Sequence, residues 1–153
     1  MQITSKFTIA IHIITAIDYF KDTETVTSSF LASSVGANPV IIRTVMSKLK
    51  EAGIIEISQG KSGISLAKEL SDITFYDVYK AVDCVDDTGL FHFHENPNID
   101  CPVGRNIHSA MDEKLQEIQD TMEAHMKKIT IADVTADVRK KLNSQGKVPL
   151  QIV

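Results

Sequence analysis

Apolar side chains recur every three to four positions over the first part of the chain, and this period predicts three helices. The apolar stripe of "SKFTIAIHIITAIDYFK" is wide, so the first helix is expected to be buried on most sides. The second helix lies in "TVTSSFLASSVG", with Thr27 or Ser28 as its N-cap and Gly36 suited to its C-terminal end. After "GA", Asn38 can cap a third helix whose first residue is Pro39.

The hydrophobic period changes from about four to about two within residues 38–69. After Gly53 the pattern becomes that of a strand, and "QGKSG" supplies a tight turn before a second strand with Ile64 and Leu66 on one face. Two short helices joined by a brief turn and followed by such a hairpin form a winged helix-turn-helix. The predicted fold is therefore mainly α, with a small β-hairpin wing.

The third helix has an apolar stripe that would face the first two helices, and its other face presents side chains suited to DNA. Arg43 can form paired hydrogen bonds with guanine, and Asn38 can read adenine or bind a phosphate near the helix start. The hairpin tip would lie against the backbone or the adjacent minor groove. An ordinary surface helix with a polar hairpin tip is the alternative. The predicted DNA contacts are Ser28, Asn38, Val40, Arg43, Thr44, Ser47, Lys48, Gln59, Lys61 and Ser62.

The distribution of charge is more informative than the net charge of −4. Residues 38–68 contain five basic and two acidic side chains, whereas residues 69–125 contain thirteen acidic and three basic ones. The first segment suits a polyanion such as double-stranded DNA and the second would repel it, although ordinary solvated faces can also have these charges. No run approaches the ~20 apolar residues of a spanning helix. We therefore expect a cytoplasmic protein without a membrane partner.

A long apolar stripe in the C-terminal half predicts a dimerisation helix. Its residues recur at intervals of three or four: Val103, Ile107, Met111, Leu115, Ile118, Met122, Met126 and Ile129. Packing onto its own domain is the alternative, but so long a helix exceeds the surface that a small domain offers. A two-fold axis would place two recognition helices about one DNA turn apart, which predicts a pseudo-palindromic operator.

The order of these elements resembles the Rrf2 family of bacterial winged-helix transcriptional regulators over about residues 1–138. The resemblance is carried by "SKLKEAGII", the glycine-bearing wing followed by "LAK", "IT..DV..AV", and "CPVGRNIHSAMDEKLQEI". It implies a homodimeric repressor. The predicted division is a DNA-binding domain at 1–82, a sensor-type loop at 83–102, the dimerisation helix and C-terminal end at 103–138, and a flexible tail at 139–153.

The sensor-type loop contains the candidate chemistry. In the family this region often has three cysteines that bind an iron-sulfur cluster, but here only Cys101 lies in the usual loop. We therefore predict no cofactor, with a cluster or zinc bound by Cys101 and histidines as the alternative. The possible nitrogen donors are His12, His92, His94 and His108.

Cys101 is also a candidate redox-sensing thiol. If it caps the dimerisation helix, with Pro102 as the first helical residue, the helix dipole would lower the pKa of its thiol. An inert thiol is the equal alternative.

Two other classes of function stay open at this stage. A metal-dependent hydrolase could use His92, His94 and an acid such as Glu95 or Asp100, but the chain has no recognisable catalytic motif, so we predict that it is not an enzyme. A winged-helix module that binds proteins rather than DNA is the other class, and the net acidity favours it.

Overall fold

The computed structural model describes residues 3–59, 63–83, 85 and 89–146. Its elements are α1 (Ser5–Phe20), α2 (Ser28–Val35), α3 (Pro39–Glu51), β1 (Ile55–Ile57), β2 (Ile64–Leu66), a short 3-10 helix (Leu70–Asp72), α4 (Phe75–Ala81), α5 (Pro102–Met126) and α6 (Ile131–Gln145). This order confirms the predicted winged helix-turn-helix, mainly α with a two-stranded wing.

Helix α1 lies at the centre of the core, as its wide apolar stripe predicts. Ala10, Ile13, Ile14 and Ile17 are buried on it, and the core continues into α2, α3, α4 and the hairpin. The ring of Phe7 meets those of Phe75 and Tyr79 edge to face, which joins α1 to α4. Burial of this helix therefore fixes the position of α2, α3 and the hairpin around it.

The turn between α2 and α3 is set by local capping. Thr27, rather than Ser28, caps α2, because its hydroxyl accepts a hydrogen bond of 3.1 Å from the Phe30 amide. Gly36 ends α2 with a φ of +72°, in the left-handed region that glycine adopts without strain. Asn38 then caps α3 through a 2.8 Å hydrogen bond from the Val40 amide, and Pro39 is the first helical residue.

The wing is a short antiparallel pair in which Ile55 faces Leu66 and Ile57 faces Ile64. In β2, Ile64 is buried and Leu66 is partly buried while Ser65 between them is exposed, as the predicted alternation requires. In β1, Ile55 is buried but Ile57 is 39% exposed, so this strand meets the core only at its start. The Ile64 amide also donates to the Val26 carbonyl at 3.0 Å, so the wing is held against the segment before α2. The predicted tip contacts Lys61 and Ser62 lie outside the described residues.

Helix α4 and the C-terminal helices meet through backbone hydrogen bonds. Thr74 and Asp77 form a reciprocal capping box at the start of α4. Beside it, the Phe75 amide donates to the Ile129 carbonyl at 2.8 Å, and the Ile131 amide donates to the Ile73 carbonyl at 2.9 Å. The junction between α5 and α6 is thus fixed to the start of α4.

Two predicted boundaries in the C-terminal third are corrected. Helix α5 ends at Met126, so Ile129 lies in the following turn rather than on the dimerisation helix. Helix α6 then runs to Gln145, so residues 139–145 are helical and not part of a tail; residues 147–153 lie outside the described part. Arg139 of this helix contacts the buried Asp18 of α1 at 2.8 Å, so α6 is still joined to α1 beyond residue 138.

Candidate nucleic-acid interface

Helix α3 separates its apolar and polar residues as a recognition helix requires. Its buried residues are Ile42, Val45, Met46 and Leu49. Among the predicted contacts on this helix and its cap, Asn38, Val40, Arg43, Thr44 and Ser47 are exposed, and Lys48 is half-buried. Packing through one face therefore leaves the Arg43 guanidinium on the solvent side, where it can form paired hydrogen bonds with a guanine.

An apolar spot on α3 lies beside these polar residues. Val40 is 60% exposed and the neighbouring Ile41 is 41% exposed. Apolar side chains on a recognition helix can contact the methyl group of thymine in the major groove. Sequence reasoning listed Val40 but missed Ile41. The available signal was that Ile41 falls outside the apolar stripe that begins at Ile42.

Two of the predicted contacts already use part of their hydrogen-bonding capacity within α3. The side-chain oxygen of Asn38 accepts from the Val40 amide, so its NH₂ group is the part left to bind a phosphate or a base. The Thr44 hydroxyl donates to the Val40 carbonyl at 2.9 Å and can still accept a hydrogen bond through its oxygen. For Asn38, capping favours the phosphate role over paired reading of adenine.

Lys48 is the predicted contact with the strongest electrostatic partners. Its ammonium lies 3.0 Å from a carboxylate oxygen of Asp83 and 3.9 Å from one of Glu51. The hydrogen bond from Lys48 to Asp83, with the negative charges of Asp83 and Glu51, raises the pKa of the Lys48 ammonium. Sequence reasoning missed Asp83, because a partner 35 positions away leaves no periodic signal.

The two remaining described contacts lie on either side of α3. Ser28 is half-buried at the start of α2, and Gln59 is exposed just after β1. Their roles at DNA stay predictions, as do those of the residues on α3.

The loop before α5 folds back onto that helix. The Leu90 amide donates to the side-chain oxygen of Gln119 at 2.8 Å, and the Arg105 side chain donates to the Ile99 carbonyl at 2.8 Å. The rings of His94 and His108 stack with their centroids 5.0 Å apart. The loop is therefore held along much of α5.

Cys101 occupies the N-cap position of α5, and Pro102 is the first helical residue. The thiol is free and exposed. The backbone N–H groups of Gly104 and then Val103 stabilise its thiolate and hold the pKa of Cys101 below its ordinary value, which outweighs a small opposing effect of desolvation. Cys101 thus lies at the predicted N-cap position, and its role as a redox-sensing thiol stays a prediction.

Helix α5 presents an apolar face that the described residues of its own chain leave uncovered. None of its 25 residues, all of them described, is fully buried, and Val103 and Ile118 are 68% and 53% exposed. The stripe divides along its length, since Met122 and Met126 pack against the chain's own core. The uncovered part of the stripe therefore lies N-terminal to Met122 and includes Val103 and Ile118.

Comparison with known proteins identifies the family. The family model described as "Rrf2: Iron-dependent Transcriptional regulator" matches residues 3–137. The chain belongs to the Rrf2 family. The Bacillus subtilis (strain 168) protein YwnA, assigned by name to the HTH-type transcriptional regulators, is 39% identical over 133 residues, which cover 87% of this chain and 96% of YwnA.

Solved structures agree with this Rrf2 assignment. A crystal structure assigned to a DNA-binding protein has 35% sequence identity and a TM-score of 0.66, with 85% of this chain and 98% of that one covered. IscR of T. potens has a TM-score of 0.63 over 97% of this chain and 94% of its own, but at 17% identity the likeness is one of fold alone. Among the described helices, none is long and apolar enough to cross a membrane.

The described part of this Rrf2 chain has no set of side chains that fits the iron named in the family description. Clusters are held mainly by cysteine thiolates, and the whole sequence has two cysteines, of which Cys84 lies outside the described residues. Within residues 3–59, 63–83, 85 and 89–146, no three histidine, cysteine or acidic side chains could hold a metal ion together. His92, His94, Glu95 and Asp100 are all described, and none of them belongs to such a group.

Proposed function

We propose that this Rrf2 protein is a homodimeric transcriptional repressor that binds a pseudo-palindromic operator through α3 and the wing. The observation that carries the proposal is the two-sided character of α3, with four apolar residues buried and Arg43 exposed among polar neighbours. A helix presented in this way by a winged helix-turn-helix enters the major groove. A protein that binds bacterial operator DNA acts in the cytoplasm.

Dimerisation is supported by α5. At about 1.5 Å per residue, a 25-residue helix is about 37 Å long, and only its last turns pack on the chain's own core. The exposed Ile118 and its apolar neighbours would be covered by the same face of a second copy. Two recognition helices related by this axis read two half-sites.

The proposed contacts divide by role. Arg43 reads base edges, helped by Val40 and its neighbour Ile41, whereas Asn38 and Lys48 bind phosphates. The remaining proposed contacts are Ser28, Thr44, Ser47 and Gln59, with Lys61 and Ser62 at the wing tip.

A redox response through Cys101 is the second part of the proposal. Its exposed position and lowered pKa favour the thiolate, which a peroxide can oxidise to a sulfenic acid while the peroxide is reduced to hydroxide. Oxidation removes the negative charge that the first amides of α5 stabilise. The loop and the start of α5 would then rearrange and change the spacing of the two recognition helices.

The test is selection of bound sequences from a pool of randomised DNA duplexes. We expect enrichment of two inverted half-sites whose centres lie about 10 base pairs apart. A reporter gene placed behind the enriched sequence should be expressed less when the protein is present. A pool that stays random would contradict sequence-specific DNA binding and favour a protein-binding module. Enrichment of a single half-site would contradict binding as a homodimer.

A further inference from the structure

The contact between Lys48 and Asp83 joins two parts of the chain that the proposed function treats separately. Lys48 belongs to the recognition helix, whereas Asp83 is the first residue of the predicted sensor loop, two residues after α4 ends. The 3.0 Å contact is therefore a direct link between the DNA-binding face and the loop.

We propose that the Asp83 carboxylate acts as an internal substitute for a DNA phosphate. In the free protein it pairs with the Lys48 ammonium, and it is displaced when Lys48 binds the DNA backbone. The inference rests on the proposed DNA-binding function and adds a regulatory residue to it. Asp83 does not itself contact DNA in this account; it controls how available the Lys48 ammonium is.

The chemistry of the pair supports the substitution. A carboxylate and a phosphate both accept charge-assisted hydrogen bonds from an ammonium group, so one lysine cannot serve both fully. Both side chains are partly open to solvent, at 40% for Lys48 and 67% for Asp83, so the pair can open without disturbing the core. A duplex lying along α3 would bring its phosphates toward the carboxylate as well, and like charges would repel.

The backbone at Asp83 shows how the carboxylate is held near α3. Asp83 has a φ of +46°, in the left-handed region where aspartate and asparagine are enriched among non-glycine residues. It follows Val82, the C-cap of α4, whose side chain is buried. The core thus anchors the residue before Asp83, and the loop continues from the residue after it.

This arrangement gives the loop a route to the DNA-binding face. The loop is fastened to α5 through Gln119 and Arg105, and its other end carries Asp83. A rearrangement that draws Asp83 away from Lys48 frees the Lys48 ammonium of each DNA-binding domain to bind a phosphate. A rearrangement that tightens the contact makes this ammonium less available. Affinity for DNA would change for all sequences alike, because phosphate contacts carry no base information.

The test compares Asp83→Asn with the wild type in DNA-binding titrations at several salt concentrations. Asparagine keeps the shape and tolerates the left-handed backbone while removing the charge. Exposed ion pairs are weak, so we expect a gain in affinity of up to about five-fold per DNA-binding domain. The slope of log affinity against log salt should become steeper by up to about one for each domain. Asp83→Glu should restore much of the wild-type behaviour.

Two comparisons separate this mechanism from a general effect of charge. Asp137→Asn makes the same substitution on the exposed surface of α6 and should change affinity much less. In a Lys48→Gln background, Asp83→Asn should have almost no effect, because the two changes act through one interaction. An equal gain in both backgrounds, an equal gain for Asp137→Asn, or no gain at all would overturn the proposal while DNA binding stands. Loss of DNA binding in every variant and the wild type would overturn both.

Discussion

The substitution Ile118→Glu tests the dimer that α5 predicts. Ile118 is 53% exposed in the single chain, so glutamate at this position should not prevent folding. Complete burial of an isoleucine side chain contributes about 1.5–3 kcal/mol, so covering this exposed half contributes about 1–1.5 kcal/mol. A two-fold interface covers Ile118 of both copies, so the two side chains together contribute about 2–3 kcal/mol to the free energy of dimerisation.

This energy sets the expected size of the effect. Each 1.4 kcal/mol changes an equilibrium constant about tenfold, so loss of both isoleucines should raise the dimer Kd by roughly 30- to 140-fold. Burial of two carboxylates near the axis would raise it further.

Sedimentation equilibrium over a range of protein concentrations measures the effect, and circular dichroism checks the fold. Ser109→Glu is the matched control, because Ser109 is exposed on the opposite side of α5. An unchanged dimer for Ile118→Glu, or equal weakening by both variants, would refute the assignment of this face.

Three further predictions concern the loop and α1. In a Cys84→Ser background, iodoacetamide should alkylate Cys101 with a midpoint pH below that of an ordinary thiol, since helix amides lower its pKa; a midpoint at or above the ordinary value would contradict this. Gly104→Ala should move that midpoint upward, because the added carbon would clash with the Asn98 carbonyl oxygen and displace the loop; an unchanged midpoint would argue against this contact. Desolvation lowers the pKa of His12, so the unfolded chain binds more protons than the native one just below pH 6.5. The melting temperature should therefore fall more steeply for the wild type than for His12→Asn as the pH drops through about 6.5, and parallel curves would contradict this.

Local signals made the DNA-binding domain predictable from the sequence. The Asn38 and Pro39 pair marks the start of α3, Gly36 and Gly53 mark helix ends, and alternation places Ile64 toward the core. Each of these is decided by residues within a few positions, through capping, backbone conformation or strand period.

Tertiary contacts decided what the sequence did not predict. The apolar pattern continues through Ile129, which hid the break between α5 and α6, although the spacing of Thr130 and Asp133 was a usable capping signal. Arg139 of α6 meets Asp18 of α1, a contact made across the fold that leaves no local signal in the sequence. Lys48 was predicted as a DNA contact, but its partner Asp83 becomes visible only when α3 and the end of α4 are brought together.

The most direct test of the account is the affinity of Arg43→Glu for the duplex that the wild-type protein enriches. Arg43 is exposed on α3 and outside its apolar stripe, so the charge reversal should leave folding and dimerisation intact. Lys50→Glu, at the penultimate residue of α3, provides the same reversal at a position expected to bind at most a phosphate. The account predicts that Arg43→Glu abolishes preference for the enriched duplex over an unrelated one, while Lys50→Glu weakens binding to both and keeps the preference. Retained preference in an intact Arg43→Glu dimer would contradict the assignment of α3 as the recognition helix.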